Sequence, residues 1–438
     1  MAAMHPITPT PTTGAEGAEY PGALAALASV FFMWGFVTAL NDVLVPHLKS
    51  AFVLSYTEVM LIQFTFFSAY FIMSLPGAWL LGRSGYRNGI VIGLLTTAAG
   101  ALLFLPAARA ASYGMFLGAL FVLASGITLL QVAANPYVAL LGAPRTASSR
   151  LNLVQAFNSL GTTLAPIFGG LLILSHSVAG TRGGGSVIVE TAAARMRDAA
   201  VVKGPYAGIA VALGLLALFI FLCRLPAATA PATSHDKGGD SLRQHPRLIF
   251  GLGALFFEVG AEISIGSFLI NYLSLSDVAG FSHATGAYYV SVFWGLAMLG
   301  RLLGSAAMRR ISPALVLGGV VVAGSLLLST SIASGGWLAL GTIVMLGFTN
   351  SIMFPTVFTL SIEGLGALTA RGSALLIMAI VGAAVVPMAQ GIAADAYGVR
   401  ASFLVPLLCY AYVLFFAIYC HRARPRALPL EASAPHIG

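Results

Sequence analysis

Charge is scarce in this chain. Asp, Glu, Lys and Arg make up 8% of its 438 residues, where soluble domains carry about 25%, and that shortage excludes an ordinary water-soluble globule. Cysteine is scarcer still: Cys223, Cys409 and Cys420 lie in or beside apolar stretches without paired or CxxC spacing. Neither a disulfide framework nor a metal site is expected from them. The first twenty residues hold no Lys or Arg and so lack the basic start of a signal peptide; rich in Pro, Thr and Ala, residues 1–21 read as a disordered tail. No GxSxG, HExxH or P-loop string occurs, and the eight His are scattered toward span ends and loops. The common enzyme signatures are therefore missing, and no cofactor is expected.

What the chain has instead is apolar length. Hydrophobic residues reach 58%, and a membrane-crossing helix needs about 20 of them in a row. About twelve such runs fit: 22–47, 57–81, 88–108, 112–141, 149–174 and 204–224, then 247–273, 284–307, 313–332, 336–362, 373–394 and 401–421. This predicts an all-α membrane protein: a bundle over 22–225, a cytoplasmic linker over 226–246 around Lys237-Gly238-Gly239-Asp240, a second bundle over 247–421, and a tail over 422–438. The longest outer loop runs from Ser175 to Lys203, with a short surface helix expected over Glu190–Ala200.

The net charge of +8 reports topology. With a cytoplasmic N-terminus, the inner loops and tail take fifteen basic residues, Arg83, Arg87, Arg145, Arg150 and Arg301 among them. The outer side takes seven, four of them in the long loop. That is the positive-inside bias. It puts both termini in the cytoplasm, makes the lipid bilayer the partner of the apolar surface, and removes the need for a nucleic-acid partner.

The two halves echo each other. Phe31-Phe32-x-x-Gly35 answers Phe256-Phe257-x-x-Gly260, and Gly161-x4-Pro166 answers Gly382-x4-Pro387. Gly126-x-Thr128 with Pro136 answers Gly347-x-Thr349 with Pro355. Three matches in order at offsets of 219 to 225 point to duplication, and parallel six-helix repeats with a site at the midplane between them are a known transporter plan.

Polar residues inside the spans are the candidate site. Asp42 stands in the apolar run Phe31–Val45. A charge at such depth costs about 2.5–3.5 kcal/mol on insertion scales, so acids there face a bundle interior or a watery path. Asp42 reads as a proton or solute site, the bland alternative being an acid that stays protonated or caps a neighbour. Trp34, Thr38, Asn41 and Asp42 share one arc of the first span, a hydrogen-bonding stripe with one aromatic, which suits a sugar's hydroxyls and C–H face. Trp34 and Trp294 sit mid-span, placed for stacking or for packing, whereas Trp79 and Trp337 sit near span ends as in interfacial belts. Gln131 and Asn135 share a face of the fourth span, and Pro136 frees the carbonyl of residue 132. Asn152, Gln155 and Asn158 share about 120° of the fifth. Interhelical amide pairs, each worth roughly 0.6 kcal/mol, are the bland reading; five amides on consecutive spans favour a lined cavity. Glu258 and Glu262 lie one turn apart in the seventh span, with Glu262 expected to be the deeper. Asn350, Pro355 and Gln390 add polarity to the tenth and eleventh.

The strings Phe32-Met33-Trp34-Gly35-Phe36, Leu40-Asn41-Asp42 and Pro46-His47-Leu48-Lys49 resemble the first helix of the fucose–proton symporter family, within the major facilitator superfamily. So do Ala133-Ala134-Asn135-Pro136-Tyr137-Val138 and the run Ala147–Gly161, and in the second half Gly260–Phe268 and Gly300-Arg301-Leu302-Leu303-Gly304-Ser305. The resemblance spans the first eleven helices. It implies twelve transmembrane helices as two six-helix pseudo-repeats, the major facilitator fold, and proton-driven sugar uptake; a cell inner membrane location and a working monomer are the accompanying expectations. The family's protonation site carries over to Asp42. Where the fucose branch has a glutamate this chain has Gln131, which is similar to the glucose/galactose branch. The loop motif Arg83-x-Gly85-x-Arg87 remains, with Gly82 where an acid is usual.

The expectation is a hexose–proton symporter, glucose or galactose first. Asp42 would couple the proton, and Trp34, Thr38, Asn41, Gln131, Asn135, Asn152, Gln155, Asn158, Glu262, Trp294 and Asn350 would contact the sugar. Facilitative or sodium-coupled carriage, export, a sugar sensor, and N-acetylglucosamine, fructose, mannose or a disaccharide as the solute stay open at this point.

Overall fold

A computed structural model describes residues 20–52, 56–172, 202–226 and 241–423. The N-terminal tail, the linker motif at Lys237, most of the long outer loop with its expected helix at Glu190–Ala200, and the C-terminal tail past residue 423 lie outside the described residues. So do the side chains of 41–52, Asn41 and Asp42 included.

The first half is built from α1 (Pro21–Phe52), α2 (Tyr56–Ala110), α3 (Tyr113–Leu140), α4 (Ala147–Leu172) and α5 (Lys203–Leu222). The second comprises α6 (Pro246–Leu273), α7 (His283–Ala307), α8 (Pro313–Ala333), α9 (Gly336–Asn350), α10 (Met353–Ile362), α11 (Thr369–Met378), α12 (Gly382–Tyr397), α13 (Val399–Ser402) and α14 (Leu404–Arg422). Ten stretches of the described residues are long and apolar enough to cross a membrane. One of them, within α2, is two crossings joined at Gly85, whose φ of 76° is a left-handed conformation that suits glycine. The α4 helix, 26 residues long, is the twelfth crossing; its amides and Arg150 keep it out of the apolar set.

The internal repeat has a steric cause. At Gly161 a Cβ would overlap the carbonyl oxygen of Phe32, and at Gly382 it would overlap that of Phe256. Thus α1 crosses α4, and α6 crosses α12, with backbones in contact, the approach that small residues permit between membrane helices. Phe32 and Phe256 are one register apart in the repeat, so the two crossings are similar joints offset by one residue.

Two crossings of the second half are broken. Between α9 and α10 the chain interrupts at Ser351–Ile352, and a 3₁₀ turn at Ala379–Val381 separates α11 from α12. Pro355 explains the first break, since it cannot donate to the carbonyl of Ser351 four residues earlier. Trp79 and Trp337 are exposed, and the Arg83 guanidinium lies 3.9 Å from the centre of the Trp79 ring, a cation–π pair suited to a membrane boundary.

One placement differs from expectation. Arg301, counted among inner-loop cations, sits inside α7 and is 9% exposed. The carbonyl freed by Pro355 gives the reason: Arg301 Nε donates to Ser351 O at 3.0 Å.

Candidate functional site

Arg150 sets the α3–α4 corner. Its guanidinium donates to Ala139 O at 2.8 Å and Ala143 O at 2.9 Å, and its Nε to Val138 O at 3.3 Å, so a cation closes the carbonyl end of α3. The turn folds α4 back along α3 and brings their amides face to face.

Gln155 Nε2 points at Asn135 Oδ1, 3.5 Å away, and Gln131 Nε2 donates to the Tyr70 hydroxyl at 2.8 Å. Trp34 is buried, with its ring 5.2 Å from that of Phe31 and its indole beside the Tyr70 hydroxyl. The Thr38 hydroxyl donates to Trp34 O at 2.9 Å. Asn152 Nδ2 donates to Ser148 O at 2.9 Å and reaches across the halves to Thr356 Oγ1 at 3.3 Å. Three of these buried amides use one end only: Gln131 Oε1, Asn135 Nδ2 and Asn152 Oδ1 have no hydrogen-bond partner among the described residues. Buried polar atoms in folded proteins nearly always have partners, so the orphaned ends mark positions where a polar ligand would complete the set.

Asn158 is different. Its Nδ2 donates to Phe31 O at 3.0 Å, and its side chain abuts Gly35, so this amide ties α4 to α1 at their close crossing.

The second half has buried polar groups of its own. The Tyr410 hydroxyl donates to Asn350 Oδ1, and Asn350 Nδ2 has no partner among the described residues. Glu258 and Glu262 lie on α6, and among the described residues no side chain bonds either carboxylate oxygen of Glu258, which lies beside the Phe354 main chain. The structure reverses the expected order of burial: Glu258 is 1% exposed and Glu262 is 9%, with the Phe354 main chain of α10 against the Glu258 carboxylate. Trp294 is half-buried, its ring 3.6 Å from where a Gly266 Cβ would lie, one turn beyond Glu262. Gln390, by contrast, donates to Ser402 Oγ at 3.3 Å and serves the α12–α13 connection.

Side-chain hydrogen bonds join the halves along the first part of α4. Ser148 Oγ and Thr359 Oγ1 are 2.6 Å apart, Ser149 Oγ donates to Ser305 O at 2.7 Å, and Ser305 Oγ donates to Ser149 O at 2.9 Å. Arg301 adds bonds to Gln155 O, at 3.2 Å, and to Ser159 Oγ. All lie toward the side carrying the α3–α4, α7–α8 and α10–α11 connections, where this structure is closed. Tyr70, Thr356, Tyr410, Ser159 and Arg301 were not legible as site residues. Only Arg301 left a signal, as a full charge six residues inside a span.

Two six-helix repeats facing each other across a buried polar seam make this a polytopic membrane protein of the carrier architecture. The chain belongs to the Major Facilitator Superfamily, whose pattern matches residues 24–380. It is 48% identical over 412 residues to the "Glucose/galactose transporter" of Brucella abortus (strain 2308), covering 94% of this chain and 97% of the relative. It is 34% identical to the "L-fucose-proton symporter" of Escherichia coli (strain K12), over 90% and 92% of the two chains. The crystal structure of the transporter FucP in the outward conformation superposes with a TM-score of 0.82 at 33% identity, covering 91% of this chain and 98% of FucP.

Proposed function

We propose that this protein imports a neutral hexose, glucose or galactose, together with a proton, by alternating exposure of a site between its two halves. One observation carries the reading: three buried amides of the first half, Gln131, Asn135 and Asn152, each keep one hydrogen-bonding end free among the described residues, as does Asn350 at its Nδ2 in the second half. An uncharged, hydroxyl-rich solute both donates and accepts, and so completes such a set without bringing a charge into the membrane. The activities of the relatives at 48% and 34% identity support the same solute class and proton coupling.

In this reading Gln131, Asn135, Asn152, Gln155 and Asn158 hold one side of the sugar, with Trp34, Thr38 and Asn41 beside them. Glu262, Trp294 and Asn350 close on the other side. Asp42 takes a proton from the outer side, and its neutralisation lets the loaded halves rock. The likeness to FucP in its outward conformation and the bonded α4–α7 seam support an outward-facing state. The arginine bias supports cytoplasmic termini in a cell inner membrane, and we take the monomer as the working unit. The 3.0 Å ion pair between Arg400 and Asp277 then ties two outer connections together.

Uptake in proteoliposomes tests this. Under an imposed inward proton gradient, labelled glucose or galactose should accumulate, a protonophore should abolish accumulation, and sodium removal should not. Accumulation that follows sodium, or a solute panel in which no hexose competes, would overturn the proposal.

A further inference from the structure

Arg301 carries the one full positive charge that the described seam between the halves uses, and its bonding is divided. Nε donates to Ser351 O at 3.0 Å within its own half, while the guanidinium donates to Gln155 O at 3.2 Å and to Ser159 Oγ in the other half. Glu258 and Glu262 are close enough on α6 for their charges to act on Arg301, and among the described residues no side chain bonds either Glu258 oxygen, the Phe354 main chain alone lying beside that carboxylate. Yet neither acid forms an ion pair with Arg301 among the described contacts. A buried guanidinium must keep acceptors wherever it goes. If α7 parts from α4, Arg301 loses both acceptors on the far side and retains one carbonyl.

We infer that Arg301 is the latch of the cytoplasmic gate and works by exchanging partners: it holds α4 when the gate is shut and moves onto the carboxylates of Glu258 and Glu262 when the gate opens. The inference rests on the alternating-access reading above and adds the residues that set the balance. The latch reaches the solute site through Gln155, whose main-chain carbonyl accepts from Arg301 while its side chain faces Asn135 in the amide wall. Two acids one turn apart on α6 give the displaced cation a destination in its own half, so the open gate is not left with an unpaired buried charge. Arg301 is thus a positioning residue for the transport cycle.

The test reads the gate directly. Spin labels at Arg145→Cys and Arg310→Cys, both exposed on that side, report the width between the halves in the full-length protein after replacement of the three native cysteines. The parent should give mainly the short distance. Arg301→Met should raise the open-to-closed ratio by about tenfold or more, as expected for losing charge-assisted hydrogen bonds. Ser159→Ala, a mild change that removes one far-side acceptor, should shift it the same way by less. The double variant Glu258→Gln with Glu262→Gln should do the reverse, holding the short distance when sugar and protons are supplied. An unchanged ratio in both Arg301→Met and Ser159→Ala overturns the latch, and so does normal opening of the double-Gln variant. A residue that merely caps the break before Pro355 would lower thermal stability without moving the distance. Hexose uptake by the unsubstituted protein is scored separately: its absence defeats the symport reading, while the distances still decide the latch.

Discussion

Gly161 lies against the main-chain carbonyl of Phe32 with no room between them for a methyl group. The same relation holds between Gly382 and Phe256 in the other repeat, so each half turns on a glycine joint between its first and fifth crossing. Gly161→Ala gains helix propensity, worth roughly 0.5–1 kcal/mol, but must push apart two backbones, and overpacking costs about 1–3 kcal/mol. Thermal unfolding in detergent should show a lower midpoint for Gly161→Ala and Gly382→Ala. Gly208→Ala, with open space around it, should be neutral or slightly stabilising.

Asp42→Asn should abolish uphill accumulation while sugar exchange at equal concentrations persists. The substitution preserves size and polarity and removes the exchangeable proton. Exchange and gradient-driven uptake, measured in the same vesicles, check this; a variant that still concentrates sugar would clear Asp42 of the coupling role.

The amides should divide by what they already bond. Gln131→Ala and Gln155→Ala each remove one or two hydrogen bonds to a neutral ligand, about 0.5–1.5 kcal/mol apiece, so sugar affinity should fall several-fold. Asn158→Ala should lower the unfolding midpoint as well, because its Nδ2 secures Phe31 O at 3.0 Å. Binding calorimetry paired with thermal unfolding separates the two classes.

Glu262→Gln should lose some sugar affinity and Glu262→Ala much more, with proton-driven accumulation kept in the Gln variant. The reason is chemical: a neutral solute needs an acceptor there, and an amide still supplies one. A Gln variant that exchanges sugar but cannot concentrate it would assign Glu262 to coupling instead.

Much of this molecule was legible beforehand. The apolar runs marked the crossings because the cost of leaving a peptide group unpaired in lipid is local, and each span can be read without its neighbours. The paired Phe-x-x-Gly and Gly-x4-Pro strings marked the duplication, and their cause, a close helix crossing, is encoded in the same few residues. The stripe of Asn152, Gln155 and Asn158 was visible from helical period alone. Its division of labour was not, since Asn158 belongs to a joint with α1 that no spacing within α4 discloses. Arg301 was misplaced for a related reason: near a span end a cation reads as a loop residue. Its acceptor, a carbonyl exposed by Pro355, lies on another helix.

By itself, the sequence determined that the chain must live in a membrane, that it crosses as two similar sets of helices, and that the acids Asp42, Glu258 and Glu262 and a row of amides stand within the apolar spans. Each of these follows from composition and period, which add up residue by residue. Tertiary structure decided which amide ends stay free, that Glu258 is more deeply buried than Glu262, and that a guanidinium on α7 finds the carbonyl of Gln155, 146 residues earlier in the chain. Hydrogen bonds act over about 3 Å, so which groups meet depends on how helices far apart in sequence pack, and only the folded bundle settles that.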